Sequence, residues 1–285
     1  MDISIIIVSW KLKEKLRHNL EALILALKDI KAEIFVVDNN SQDGTVEMIQ
    51  REYKDINLII NSDNLGFAKA NNQAIGLAKA DFILLLNPDM KVFPETISQA
   101  LAWAKVNTQA TVSGFYLQNE NGDLLPQVRR FPSLRDQLLL TLKLPHIFPA
   151  LLNKYLYKDF DYSLAQKVDS IRGSFFLINR NSWRNISGLD KPFLDERYFI
   201  WFEEVDFCRQ VYKNSGEVWY SPVAKCRDYI GQSFKQLPRD TKQIYFRTSM
   251  LAYFKKWHSL TDYYVLKAVW SISNVITKIF KKYEK

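Results

Sequence analysis

Short apolar runs alternate with longer stretches of helical spacing through the first hundred residues, and this rhythm leaves few architectures open. Ile3–Ser9, 33–37, Asn57–Ile60 and Phe82–Leu86 read as strands. The stretches 12–28, 45–53, 67–79 and 94–105 read as helices. Leu16, Leu20, Leu23 and Leu27 give the first helix its apolar stripe, and Pro94 opens the last at a position that needs no N–H. Strands that are apolar throughout need cover on both faces. The expected fold class is therefore α/β: a mostly parallel sheet flanked by helices.

Beyond Thr111 the rhythm loosens. Strands are expected over 111–117 and 171–178, a hairpin turn at Asn121-Gly122, a helix over Glu203–Lys213 and a short strand over 217–220, while Arg129-Arg130-Phe131-Pro132 leads into the stretch 134–144 and then a loop-rich aromatic stretch to Lys167. In the final stretch, 263–285, polar residues recur at Lys267, Ser271, Asn274, Lys278, Lys281 and Lys285. Leu266, Val269, Trp270, Val275, Ile276, Ile279 and Phe280 take the other faces. Such a helix suits a membrane interface or the protein's own core, and periodicity does not say which.

The 285 residues carry a net charge of +8, with 47% hydrophobic and 25% charged residues. This is a globular balance with a basic excess that suits anionic partners such as nucleotide phosphates or an anionic membrane surface. No helix-turn-helix, zinc-finger or RNA-binding pattern is present, so nucleic acid is not an expected partner. Cys208 and Cys226 form no Cys-x-x-Cys pair, which points to neither a disulfide framework nor a zinc site and suits a reducing compartment. The apolar run 3–8 has no basic leader before it and is far shorter than the ~20 residues that span a bilayer. The expected location is cytoplasmic.

Polar residues gather where the strands end: Ser9-Trp10, Asp38-Asn39-Asn40-Ser41, Asn61 to Asn64, and Asn87-Pro88-Asp89. Open α/β sheets bind ligands outside the carboxyl ends of their strands, so four strands would deliver these groups to one edge. Asn and Asp also favour turns for local reasons. Dinucleotide, P-loop and serine-hydrolase signatures are absent. Pro88 stiffens the turn that carries Asp89. A carboxylate held there could take Mg²⁺ or Mn²⁺, which complete their shells with substrate phosphates, although Asn-Pro-Asp is also a common turn. Phe199-Ile200-Trp201-Phe202 runs directly into Glu203, Glu204 and Asp206 at a helix start. Acids in a first turn favour the helix dipole, while aromatic walls raise a carboxylate's pKa and prepare a general base. The pattern alone supports both readings.

Taken in order, Ile5-Ile6-Ile7-Val8-Ser9-Trp10, Val36-Val37-Asp38-Asn39-Asn40-Ser41-Gln42-Asp43-Gly44-Thr45, Asn64-Leu65-Gly66-Phe67-Ala68, Leu86-Asn87-Pro88-Asp89, Arg172-Gly173-Ser174-Phe175-Phe176, Gly188-Leu189-Asp190 and Glu203-Glu204-Val205-Asp206 form a series. It resembles the family 2 glycosyltransferases of the GT-A fold over roughly residues 3–235, most closely the bacterial rhamnosyltransferase-like branch. The resemblance implies a nucleotide-sugar half over 1–110, an acceptor half over 111–235 and a helical segment over 236–285. It implies that Asp38 contacts the base or ribose, that Ser9, Trp10 and Asn40 belong to the same donor site, and that Asn64 closes over the nucleotide. Asp89 matches the last residue of the family's Asp-x-Asp element and would bind the Mg²⁺ or Mn²⁺ cofactor, with Asn87 in place of the first Asp. Arg172 and Gly173 fall where sugar and acceptor meet. Glu204, beside Glu203, matches the catalytic base.

Three positions depart from the family pattern. Glu204 stands where relatives have Asp. Asp228 lies five residues before Ser233, where relatives place a metal-proximal His, so Asp228 is a second metal candidate. Ser9 and Lys11 replace Asn residues. The implied reaction is inverting transfer of a sugar, often rhamnose in this branch, from a dTDP- or UDP-sugar. The implied acceptor is a hydroxyl of a glycan or polyprenyl-linked acceptor at the inner membrane face, with Lys255-Lys256-Trp257 and the last helix near the headgroups. Two rivals stand beside it. A catalytically silent sugar-nucleotide-binding scaffold is disfavoured by the retained Asp89 and Glu204. A nucleotidyltransferase would need a glycine-rich basic loop where Ser9-Trp10-Lys11-Leu12 stands.

Overall fold

The computed structural model describes residues 1–229 and 237–283, the last helix with its side chains as far as Ser273. The expected α/β architecture is present. Strands β1 (Ile3–Ser9), β2 (Ala32–Asp38), β3 (Asn57–Ile60) and β4 (Phe82–Leu86) lie parallel in the order β3-β2-β1-β4. Helices α1 (Lys13–Ala26), α2 (Thr45–Glu52), α3 (Phe67–Leu77) and α4 (Thr96–Val106) connect and cover them. All seven residues of β1 are buried. Its side chains alternate between faces: Ile5 and Ile7 join Leu16, Leu20 and Leu23 of α1 in one core layer, and Ile6 joins Ala70 and Ala74 of α3 in the other.

The second half extends this sheet with strands of mixed direction. These are β5 (Met90–Val92), β6 (Ala110–Gln118), β7 (Gln166–Lys167), β8 (Phe175–Asn179) and β9 (Glu217–Asp228). Strand β8 pairs antiparallel with both β4 and β6, and β9 runs parallel to β6 and antiparallel to β5 and β7. Three sequence expectations change here. The strand expected over 171–178 begins only at Phe175, after irregular backbone at Ile171 and Arg172 and a turn at Gly173 and Ser174. The short strand expected over 217–220 continues to Asp228. A register shift opposite Phe115 and Tyr116 accommodates Pro222, which has no N–H to give the ladder. The hairpin at Asn121-Gly122 reverses the chain, but what returns is a single bridge, Gln118 to Leu124.

Helix α5 (Leu134–Thr141) starts at a capping box between Ser133 and Asp136 and leads into two 3₁₀ turns, Leu144–His146 and Pro149–Leu152. Helices α6 (Arg180–Ser187) and α7 (Glu203–Lys213) precede two long C-terminal helices, α8 (Arg239–Trp257) and α9 (Leu260–Tyr283). No helix among the described residues is long and apolar enough to cross a membrane. Helices α8 and α9 build a third apolar cluster from Met250, Tyr253, Phe254 and Leu266 around Tyr198 and Phe202. One face of the last helix turns inward: Leu266 is fully buried and Trp270 packs on the cluster. Val275, Ile276, Ile279 and Phe280 lie outside the described side chains.

The polar centre of this packing is Asp206, wholly buried on α7. Its carboxylate accepts from the Tyr198 hydroxyl at 3.1 Å, Gln210 Nε2 at 2.7 Å, Lys256 Nζ at 2.8 Å and Trp257 Nε1 at 2.5 Å. Lys256 also reaches Asp195 at 2.9 Å. Lys256 and Trp257, expected to face headgroups, are therefore turned into the protein, and only Lys255 of that trio stays exposed. Removing one member of a buried, hydrogen-bonded charge pair leaves the others unpaired. Asp206→Ala should destabilise the fold by about 3 kcal/mol and lower the Tm by roughly 6 °C, read by thermal unfolding.

Candidate active site

Ser9 and Asp38 are register partners at the carboxyl ends of β1 and β2, and both are buried. One Asp38 oxygen accepts from the Ser41 amide at 2.9 Å. Asp38 Oδ1 and Ser9 Oγ have no protein partner among the described residues. A buried polar atom without a hydrogen bond costs about 1–3 kcal/mol, so this floor is built to receive donors from something else. The loop that follows turns sharply through left-handed backbone at Asn40, Gln42 and Gly44. Asp43 closes it by accepting from the Thr45 amide at 3.1 Å and the Thr45 hydroxyl at 2.5 Å.

Asn39, not Asn40, reaches the cleft. Asn39 is buried, donates to the Gly66 carbonyl at 3.1 Å and accepts from Asn61 at 2.9 Å. Asn40 points away, bonded to exposed Gln42. Asn64 accepts from the Gly66 amide at 3.0 Å and lines the cleft with Trp10, Asn87 and Asp89.

The opposite wall is Phe199, Ile200, Leu237 and Tyr245, with the Phe199 and Tyr245 rings 4.5 Å apart. Two of these residues come from the segment after 236, which the sequence marked only as helical. The walls meet at Gly66. Its φ is +82°, the Phe67 amide donates to the Phe199 carbonyl at 2.7 Å, and a Cβ on Gly66 would lie 2.4 Å from that same oxygen.

The turn that carries Asp89 is fixed from three sides. The Asn87 amide donates to the Ser174 carbonyl at 3.0 Å, and the Asp89 carbonyl accepts from the Tyr229 amide at 3.2 Å. Buried Asn19 on α1 uses one amide nitrogen to bridge the Asn87 and Met90 carbonyls, at 3.1 and 2.9 Å. Asp89 is 4% exposed. Asp228 lies on the neighbouring strand, paired in register with Met90, and is held by Arg172 at 3.3 Å. Ser233 falls outside the described residues. Among the described residues no three His, Cys, Asp or Glu side chains gather into a metal cage. A hard divalent cation that takes one or two carboxylates and fills its shell with phosphate oxygens and water needs none, so Asp89, with Asp228 beside it, fits such an ion.

Arg172 joins this side of the site to the acidic helix start. Its charge lowers the Glu204 pKa, opposing the larger upward push of burial. Gly173 sits against Glu204, leaving 3.4 Å between a built Cβ and the Glu204 Cβ. Glu203 is pushed well above the usual carboxylate range by burial and by the charge of Glu204. The Oε2 atoms of both glutamates are buried without a partner among the described residues. Just before them Trp201 and Phe202 hold φ values of +63° and +71°, a left-handed conformation that costs an L residue about 1–2 kcal/mol. The buried Phe202 ring, packed 5.5 Å from Phe246 and 5.4 Å from Tyr253, offsets that cost.

The site thus brings together Ser9, Trp10, Asp38, Asn64, Asn87, Asp89, Arg172, Gly173, Glu203, Glu204 and Asp228, and leaves Asn40 aside. Sequence reasoning missed Asn19, Asn39 and Tyr245. Gly66→Ala should push Phe199 off the opposite wall and destabilise the fold by about 2 kcal/mol or more. Gly76→Ala on the same helix meets nothing within 4 Å and should be neutral or stabilising by about 0.5–1 kcal/mol. Thermal melts of the two variants check the contrast.

Known proteins align with this arrangement. The profile described as glycosyl transferase family 2 matches residues 4–186. The N-acetylglucosaminyl-diphospho-decaprenol L-rhamnosyltransferase of Mycobacterium tuberculosis is 25% identical over 204 residues, covering 67% of this chain and 64% of the relative. The chain therefore spans less than two thirds of that relative's length. The uncharacterized glycosyltransferase YfnE of Bacillus subtilis is 29% identical over 118 residues, 41% of this chain and 30% of YfnE. Among solved structures, S. aureus TarS 1-349 in complex with UDP-GlcNAc superposes with a TM-score of 0.56 at 16% identity, over 88% of this chain and 65% of that one. At that identity the likeness speaks for the fold. With the family profile covering well over half of its length, this chain belongs to glycosyl transferase family 2.

Proposed function

We propose that this chain is an inverting, divalent-cation-dependent glycosyltransferase that moves a sugar from a dTDP- or UDP-sugar to a hydroxyl of a lipid-linked glycan at the inner face of the membrane. The mycobacterial relative's name, with its diphospho-decaprenol acceptor and L-rhamnosyl donor group, favours rhamnose and a polyprenyl-linked acceptor. The observation that carries the reading is the position of Arg172, ion-paired with Asp228 on the strand that pairs with Met90 next to Asp89, and followed by Gly173, which packs against Glu204.

In this reading Asp38 and Ser9 accept and give hydrogen bonds to the base or ribose, which fills the unpartnered buried atoms at the sheet edge. Trp10 and Phe67 flank the nucleotide in the cleft. Asp89, with Asp228 as the second candidate, would hold Mg²⁺ or Mn²⁺. When bound, the cation neutralises charge that builds on the leaving phosphate. Arg172 adds a fixed positive charge between the diphosphate side and the base. Glu204 takes the proton of the acceptor hydroxyl as that oxygen forms its bond to the anomeric carbon and the bond to the phosphate oxygen breaks on the far side. A single displacement inverts configuration. Burial raises the proton affinity of Glu204, which suits it to this task, and a hydrogen bond from its own backbone and the charge of Arg172 act against that rise.

Glu204→Gln should lower kcat by about 10³-fold and leave the donor Kd within about twofold; near-normal turnover would remove Glu204 from the role. Asp89→Ala should weaken Mn²⁺-dependent binding of UDP or dTDP by at least ~10-fold in calorimetry, with cation-free binding little changed. The acid limb of kcat/KM should lie above the ordinary carboxylate range, because the base is lost as pH falls through a raised pKa. Arg172→Gln removes a charge that lowers that pKa, so it should move the limb to higher pH. A limb that stays put in this variant would break the link between Arg172 and the base.

A further inference from the structure

The last helix has a second apolar stripe that the fold leaves outside. Leu266 and Trp270 face the core, yet Tyr264, Val265 and Ile272 are exposed at 60%, 39% and 59%. Val265 and Ile272 are two turns apart and share one face. One residue beyond Ile272, the Ser273 hydroxyl donates to the Thr141 carbonyl at 3.3 Å at the end of α5. That contact brings the stretch of α9 that carries Ile272 to the end of α5, and Leu142, the next residue after α5, is 53% exposed at the start of the segment with two 3₁₀ turns. Between those turns Ile147 and Phe148 stand out at 70% and 58%. Exposed apolar side chains from two distant parts of the chain therefore flank one contact between α5 and α9, where a soluble helix would carry polar ones.

The charge within these two segments has one sign, with Asp159 and Asp262 just beyond their ends. Residues 142–158 and 264–273 contain Lys143, Lys154, Lys158 and Lys267, all exposed, and no Asp or Glu. Lys143 adjoins Leu142, and Lys267 lies between Val265 and Ile272 in the chain. Apolar tips ringed by ammonium groups match the boundary between acyl chains and anionic headgroups, where lysine stems lie along the apolar part and their charges meet phosphate. Helices α5 and α9 also pack, through Leu134, Leu138 and Trp270, on the aromatic cluster that holds Phe202 at the entrance to α7. The surface thus stands one layer behind Glu203 and Glu204.

We infer that the surface formed by residues 142–158 and the outer stripe of α9 docks this protein onto an anionic phospholipid bilayer. Ile147 and Phe148 enter the interface, and Lys143, Lys154, Lys158 and Lys267 meet the headgroups. The inference rests on the lipid-linked acceptor of the proposed function for its purpose but not for its measurement, since vesicle binding needs neither donor nor acceptor.

The test is co-sedimentation of the full chain with vesicles of phosphatidylcholine containing 30% phosphatidylglycerol, and with vesicles of phosphatidylcholine alone. The anionic vesicles should bind the protein at least ~10-fold more tightly, and the difference should shrink at high salt. Ile147→Glu with Phe148→Glu should reduce that binding at least ~10-fold, and Lys143→Glu with Lys158→Glu should abolish the preference for anionic lipid. The substituted side chains are exposed, so thermal melting and nucleotide binding should match the parent chain. Parent-chain binding no tighter to anionic vesicles than to neutral ones, or binding unchanged by the paired substitutions, would overturn the inference. So would a concentration-dependent dimer in sedimentation velocity that the Ile147 and Phe148 substitutions abolish, since the occupant would then be a second copy. A protein that binds vesicles but never binds a nucleotide sugar would instead refute the transferase reading and leave the docking surface standing.

Discussion

The orientation of helix α7 is the constraint on which the site depends. Asp206 is locked to the C-terminal helices by Lys256 and Trp257 and to the preceding loop by Tyr198. Two residues along an α-helix turn it by about 200°. With Asp206 held toward the C-terminal helices, Glu204 must face the other way, against Gly173 and the carboxyl edge of the sheet. A carboxylate buried for structural reasons thereby aims a carboxylate buried for chemical ones. The charge at 206 is satisfied four times over, whereas Glu203 and Glu204 each keep an unpartnered oxygen.

The same packing explains the strained entrance to the helix. Trp201 and Phe202 must pass through left-handed backbone for the chain to leave the cleft wall at Phe199 and Ile200 and still present Glu203 at the first turn. Ser249 on α8 accepts part of that task by donating to the Ile200 carbonyl at 2.7 Å. On the other side, α3 grips the approaching loop: Asn72 donates to the Leu194 carbonyl at 2.8 Å and accepts from its amide at 2.9 Å. The wall is held from both ends before any ligand arrives, which is what preorganised charge requires.

How much of this was legible follows from the range of each interaction. Strands β1 to β4 could be read because each is a contiguous apolar run with a helix-period pattern after it. Strand β5 is three residues long and carries no pattern, and β9 is hidden by Pro222 and by charged residues that alternate toward solvent. The polar strand ends were legible as a group but not one by one. Asn39 and Asn40 are equal in sequence, and only the left-handed backbone at Asn40 decides which of them faces the cleft. Asn19 looked like one polar residue in an amphipathic helix, because its partners, the Asn87 and Met90 carbonyls, lie some seventy residues away. The acidic trio at 203–206 supported both a structural and a chemical reading, and the fold divides it between them.

That division also bears on why the last two helices belong to the catalytic unit. The first half of the chain supplies β1 to β4 and their polar ends, within a sheet and cores that it shares with the second half. What it lacks is a second wall and the buried glutamates of α7. Tyr245 and Leu237 supply the wall, and Lys256 with Trp257 fixes the rotation that turns Glu204 inward. The aromatic cluster that performs this positioning is also the layer on which α5 and α9 rest. Any force that seats the outer surface of α9 is transmitted through close-packed rings, which deform little, to the turn that carries Glu203 and Glu204.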